Sequence, residues 1–170
     1  MTRYEKQKKE IETIKARTFN IELSEADVKR LFVKAGEVGL TPEELIKYFI
    51  GDLVDGTYSN GSDERMYAEN WFDRCWFSID PENSLIRFML WEDYSISDFI
   101  DLCNEKEYFE THPDEENEDI ENILTDYNEV IHDYIEWLGN SSDKYDIETE
   151  IKKMRIWFEQ YKKISKNTNI

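Results

Sequence analysis

The chain has 170 residues, 39% hydrophobic and 14% aromatic, with five Trp, six Gly and three Pro. That composition can furnish a core and excludes a long flexible chain; the length suits one domain, or a small module plus a second small domain. A net charge of −18 at pH 7 excludes broad affinity for nucleic acid or anionic membranes and favours basic proteins as partners.

The N-terminal stretch MTRYEKQKKEIETIKAR has no apolar segment of the secretory kind. No apolar run approaches the roughly 20 residues of a membrane span. A cytoplasmic protein with no membrane partner is therefore expected. Cys75 and Cys103 are too few for a disulfide scaffold, and both stand among apolar residues. They read as buried thiols in a reducing compartment.

The charge is segregated. Residues 1–50 hold ten Lys/Arg against nine Asp/Glu, residues 51–142 hold four against twenty-five, and residues 143–170 hold seven against five. The acidic excess thus lies in the middle of the chain. A basic arm over residues 1–17 precedes it, with Arg3, Lys6, Lys8, Lys9, Lys15 and Arg17 against three glutamates. It reads either as a solvated helix with i,i+4 pairs such as Glu5–Lys9 or as an arm that touches phosphate.

In chain order, residues 4–16 form a polar helix. Residues 18–23 alternate strictly, with Phe19, Ile21 and Leu23 on one side and Thr18, Asn20 and Glu22 on the other, which predicts a short strand. Ser24 is then an N-cap with Asp27 three residues on. Val28, Leu31, Phe32, Ala35 and Val38 give the helical stripe, and Gly39 a left-handed stop. Thr41-Pro42-Glu43-Glu44 starts a second helix, with the stripe Leu45, Ile46, Phe49, Ile50, Leu53 and Val54 ending at Gly56.

This order of strand, capped helix, Gly-containing turn and capped helix over residues 18–56 resembles the ribbon-helix-helix fold of Arc- and MetJ-type DNA-binding proteins and many antitoxins. The resemblance implies a homodimer joined by an antiparallel ribbon. The polar strand residues Thr18, Asn20 and Glu22 would then face the major groove of operator DNA, and a phosphate would sit at the helix start around Thr41 and Glu43. Asn20 suits adenine. Glu22 opposes DNA binding, because its carboxylate repels the flanking phosphates.

Residues 57–63, TYSNGSD, form a turn-rich joint and the expected domain boundary. Beyond it a helix over 63–77, capped by Ser62, carries Tyr67, Trp71 and Cys75. Asp80-Pro81-Glu82 leads into Leu85–Trp91, whose sequence LIRFMLW suits a buried helix or a strand, with helix preferred. Ser95 and Asp98 form a further helix start. The aromatic set Trp71, Phe72, Trp76, Phe77, Phe88, Trp91, Tyr94 and Phe99 is read as core. After the acidic loop HPDEENED, Ile120 to Leu138 and Ile147 to Ile164 follow helical spacing around a short turn, which predicts an antiparallel αα-hairpin. The acidic edge of its first helix would face the basic edge of the second.

The expected fold is therefore mainly α: a basic arm (1–17), a ribbon-helix-helix-like module (18–56) and an acidic helical domain (57–170) ending in an αα-hairpin. There is no P-loop, GxGxxG, GxSxG or HExxH, Cys75 and Cys103 lack CxxC spacing, and residues 114–121 lack the DxDxDG calcium pattern. His132–Glu136 reads as a surface ion pair. No catalytic residue, metal or cofactor is expected.

The charge architecture points to a binding protein. Asp114, Glu115, Glu116, Glu118, Asp119, Glu121, Asp126, Glu129, Asp133 and Glu136 would form an acidic surface that binds and blocks a basic nucleic-acid-handling protein such as a CRISPR nuclease. The layout is similar to acidic phage and mobile-element inhibitors of the anti-CRISPR and anti-restriction type. The alternative is a ribbon-helix-helix repressor or antitoxin-like regulator whose acidic region serves as a partner domain.

Overall fold

The computed structural model describes residues 2–112 and 120–166. Among them the regular structure is helical, with no strand. The helices are α1 (Arg3–Glu12), α2 (Glu25–Gly36), α3 (Pro42–Leu53), α4 (Ser62–Arg74), α5 (Trp76–Ile79), α6 (Leu85–Trp91), α7 (Ile96–Thr111), α8 (Ile120–Leu138) and α9 (Ile147–Lys166), with a 3-10 turn at Gly139–Lys144 before α9. The chain divides into two compact units, Met1–Pro81 and Glu82–Ile170. The 57–63 joint lies within the first.

The expected strand does not form. Residues 14–24 are irregular, and Phe19, Ile21 and Leu23, expected to cover a core, are all more than half exposed. This overturns the ribbon-helix-helix reading and the ribbon dimer that followed from it. Alternation states which residues could share a face, but a strand also needs a mate for its backbone N–H and C=O groups. None exists among the described residues.

The helix starts around that segment do form. Ser24 Oγ accepts from the Asp27 N–H at 3.1 Å. Gly39 takes a left-handed φ of +74°, and the Leu40 N–H reaches back to the Ala35 carbonyl at 3.0 Å, closing the end of α2. In the first unit α2 packs on α3, α3 on α4 and α4 on α5. Among the described residues of this unit only Ala35, Gly51 and Ala68 are buried, while half-exposed aromatic rings also meet, Phe49 of α3 lying 5.3 Å from Trp71 of α4 between centroids.

Gly51 is required by a close approach. A Cβ there would lie 2.6 Å from the Tyr58 carbonyl carbon and 2.8 Å from the Ser59 nitrogen. The 57–60 turn is thereby folded against α3. The Asp52 carboxylate holds it, accepting from the Asn60 N–H at 2.7 Å and its side-chain amide at 2.8 Å, and Arg65 pairs with Asp55 at 3.1 Å.

The helix expected over 63–77 breaks at Cys75, whose extended backbone (φ −72°, ψ 145°) separates α4 from α5. The start of α4 has Gly61, not Ser62, as its N-cap. The aromatic residues read as core divide: Phe88 and Phe99 are buried, whereas Trp71, Phe72, Trp76, Phe77 and Trp91 are exposed. Cys103 is buried but Cys75 only half so.

The second unit holds the core: Leu85, Phe88 and Met89 from α6, Ile96, Phe99 and Cys103 from α7, Val130, Tyr134 and Leu138 from α8, Ile151 and Met154 from α9. Leu85–Trp91 is a helix, N-capped by Ser84, whose Oγ accepts from the Arg87 N–H at 3.2 Å. It packs against α7, α8 and α9.

Three long-range hydrogen bonds fix its entry. The Tyr134 hydroxyl donates to the Asn83 carbonyl at 2.8 Å, the Asn83 N–H donates to the Tyr145 hydroxyl at 3.1 Å, and the Leu85 N–H donates to Glu150 Oε2 at 3.1 Å. Glu150 is 2% exposed, and its other oxygen accepts from Lys153 Nζ at 2.8 Å.

The αα-hairpin also needs correction. α8 packs mainly on α7, and α9 on α6 and α7, so α8 and α9 do not form a two-helix pair of their own. The shared core draws each helix onto α7 and its neighbours in place of the chain-adjacent helix. Accordingly the basic Arg155 of α9 pairs with Glu107 of α7 at 2.9 Å, not with an α8 carboxylate.

Two stability effects are expected in urea unfolding of the full chain. Glu150→Ala strands the Leu85 N–H and Lys153 and costs about 2 kcal/mol, with Glu150→Gln costing less than half of that. Gly51→Ala forces the 57–60 backbone away from α3 and costs about 1–3 kcal/mol. Hydrogen exchange should show the strongest protection in α6 to α9 and weaker protection in α2 and α3, following the burial of each unit.

Candidate functional site

The sequence-expected site residues lie apart. Thr18, Asn20 and Glu22 are exposed on the irregular segment. At the start of α3, the Glu44 N–H donates to Thr41 Oγ1 at 3.2 Å and the Thr41 N–H donates to Glu44 Oε2 at 2.9 Å. These mutual bonds hold the Glu44 carboxyl below the usual carboxylate range, the backbone bond from Thr41 contributing most. A phosphate there would meet an occupied, negatively charged cap, with Glu43 beside it. Lys8 and Lys9 of the basic arm are exposed on α1, with Lys15 and Arg17 in the irregular segment after it. The side chains of Arg3 and Lys6, and residues Asp114, Glu115, Glu116, Glu118 and Asp119, lie outside the described residues.

α8 presents the rest. Val130, Tyr134 and Leu138 point into the core. Asp126, Glu129, Asp133 and Glu136 recur at spacings of three and four and so form a stripe beside that core face. Glu121, Asp126, Glu129 and Glu136 are exposed, and none of the four makes an ion pair among the described residues.

Next to this stripe lies a groove of about 190 Å³ lined by Phe88, Glu92, Tyr94, Asp133, Glu136 and Trp137. Its far wall is the turn after α6. There Asp93 takes a left-handed φ of +59°, and the Tyr94 N–H donates to the Met89 carbonyl at 2.9 Å. That helix end turns Glu92 and Tyr94 toward α8. The buried Phe88 ring is the apolar base, 5.5 Å from Tyr94 and 5.8 Å from Trp137 between centroids. The Tyr94 hydroxyl donates to Asp133 Oδ2 at 2.7 Å, tying the turn to α8.

This bond, with burial and neighbouring carboxylates adding to it, pushes the Tyr94 phenol up to about 12. Tyr94 therefore stays protonated at neutral pH and serves as a fixed donor. Cys103, the buried thiol, is pushed up to about 11 chiefly by burial, so it is not a poised nucleophile.

His132, Asp133 and Glu136 offer ligand atoms within 4.8 Å of one another, and His132 Nδ1 stands 3.6 Å from Asp133 Oδ1. The His132 side chain is 75% exposed. Exposed carboxylates with a histidine are ordinary on so acidic a surface, and this set lacks the enclosed geometry of a metal centre. What the groove offers is a place for positive charge: aromatic rings at the base and sides, carboxylates at the rim.

Sequence reasoning found Asp133 and Glu136 but missed Phe88, Glu92, Tyr94 and Trp137 as their companions. Only the adjacency of Trp137 to the acidic stripe was there to be noticed. Comparison with protein families, with curated proteins and with solved structures finds no match.

The Tyr94–Asp133 bond has an alkaline signature. Below pH 10 the phenol is protonated in both folded and unfolded chains, and the bond contributes in full. As pH rises from about 10 towards 12 the unfolded chain ionises first, so stability falls. Tyr94→Phe should make that fall shallower and remove one late-ionising tyrosine from the ultraviolet titration.

Proposed function

We propose that the chain is a non-enzymatic binding protein that engages a basic, nucleic-acid-handling protein, such as a nuclease of the CRISPR or restriction type, and blocks it by presenting carboxylates where phosphates would sit. The observation that carries this reading is α8: one face is committed to the core, and in the adjoining stripe Asp126, Glu129 and Glu136 are exposed and carry no ion pair among the described residues. From Asp126 to Glu136 the stripe spans about 15 Å of helix axis. It belongs to the 51–142 region, where acidic residues outnumber basic ones twenty-five to four. Such a field speeds encounter with a basic cleft and excludes acidic competitors.

Among the described residues no helix is long and apolar enough to cross a membrane. Action in the cytoplasm, where nucleic-acid-handling enzymes work, is part of the same reading.

The test is direct titration of the full chain into nucleic-acid-free CRISPR-type and restriction nucleases, with salt and duplex DNA as variables. Binding to at least one of them with Kd below about 10 μM is expected, weakening steeply between about 50 and 200 mM salt and competed by DNA. Binding to none of them, or binding indifferent to both salt and DNA, would overturn the reading.

A further inference from the structure

We propose that the groove between the α6–α7 turn and α8 is a receptor for one arginine side chain of the basic partner, so that the acidic face has a specific anchor in addition to its diffuse field. This rests on the reading of α8 as a surface for basic proteins. The groove differs from the rest of that surface in having a depth and an apolar base. Phe88 is 2% exposed, and the Tyr94 and Trp137 rings flank it.

Its volume is about 190 Å³. That admits a guanidinium with its last methylenes. It is well below the roughly 300–1,000 Å³ of sites for drug-sized ligands, which disfavours a nucleotide.

The chemistry of the lining favours arginine over lysine. A guanidinium is planar, lies flat on aromatic faces, is less strongly hydrated than an ammonium, and carries five donors in a fork. The rim offers acceptors from two directions: Glu92 from the turn, Asp133 and Glu136 from α8. Asp133 Oδ2 is taken by Tyr94, which orients the carboxylate and leaves Oδ1 for a ligand. The exposed His132 ring stands 3.6 Å from Oδ1. The Trp137 ring already accepts a guanidinium within this chain: that of Arg87, which is not part of the groove lining, lies 5.4 Å from the ring centroid.

Two nonapeptides of equal charge test this against the full chain by calorimetry: one with a single arginine among lysines, the other all lysine. The arginine peptide is expected to bind about fivefold tighter. Asp133→Asn with Glu136→Gln should abolish that preference. Asp126→Asn with Glu129→Gln, an equal change of charge on the same helix outside the groove, should keep it while weakening both peptides alike.

Circular dichroism checks each variant. Glu136→Gln alone, at an exposed position, should still reduce the preference if the double variant fails to fold. Equal binding of the two peptides to the unaltered chain, or loss of preference in both double variants, would overturn the arginine receptor while leaving the acidic-face reading intact. Binding of neither peptide would overturn both.

Discussion

A buried carboxylate meets the first N–H of a short helix, and the second unit is arranged around that contact. Seven residues are too few for α6 to persist alone. Its position depends on what receives its ends. Glu150 reaches from α9 to the Leu85 N–H, while Tyr134 of α8 and Tyr145 grip the peptide groups of Asn83 just before it. With its entry fixed from two elements remote in sequence, α6 sets Leu85, Phe88 and Met89 among the side chains of α7, α8 and α9. Burying the Glu150 carboxylate is tolerable because Lys153 balances its charge and Leu85 takes its second oxygen.

The candidate site depends on the same contact at one remove. Where α6 ends, Asp93 turns the chain and brings Glu92 and Tyr94 to the flank of α8. The Tyr94–Asp133 bond then locks one rim carboxylate. The groove therefore has an aromatic base, placed by the core, and at its rim one carboxylate held by a hydrogen bond with Glu92 and Glu136 beside it. An aromatic base with carboxylates at its rim suits recognition of a cation.

How much of this could be read from the sequence varies with the range of the interaction concerned. Caps are local, and Ser24, Thr41 and Ser95 each accept the expected backbone N–H three residues on. The left-handed stop at Gly39 is local too. The stripes of α8 and α9 were legible because they persist over many turns. Alternation over residues 18–23 misled, because a strand is defined by a partner and the pattern holds no information about one. The break at Cys75 is a local difference that periodicity cannot resolve. Glu150 among the residues of α9 resembles any other surface glutamate, and the groove joins side chains of α6 and its turn to others some forty residues later. Those pairings exist only once the core has formed.

The central claim is that α8 and the groove beside it are where a basic protein is bound. Carboxylate footprinting of the full chain, free and saturated with a basic nuclease that binds it, asks this directly. The account predicts that Glu92, Asp126, Glu129, Asp133 and Glu136 lose reactivity on binding, Asp133 and Glu136 most. If those five label equally in the free and bound protein while carboxylates of the Met1–Pro81 unit become protected, the account is contradicted.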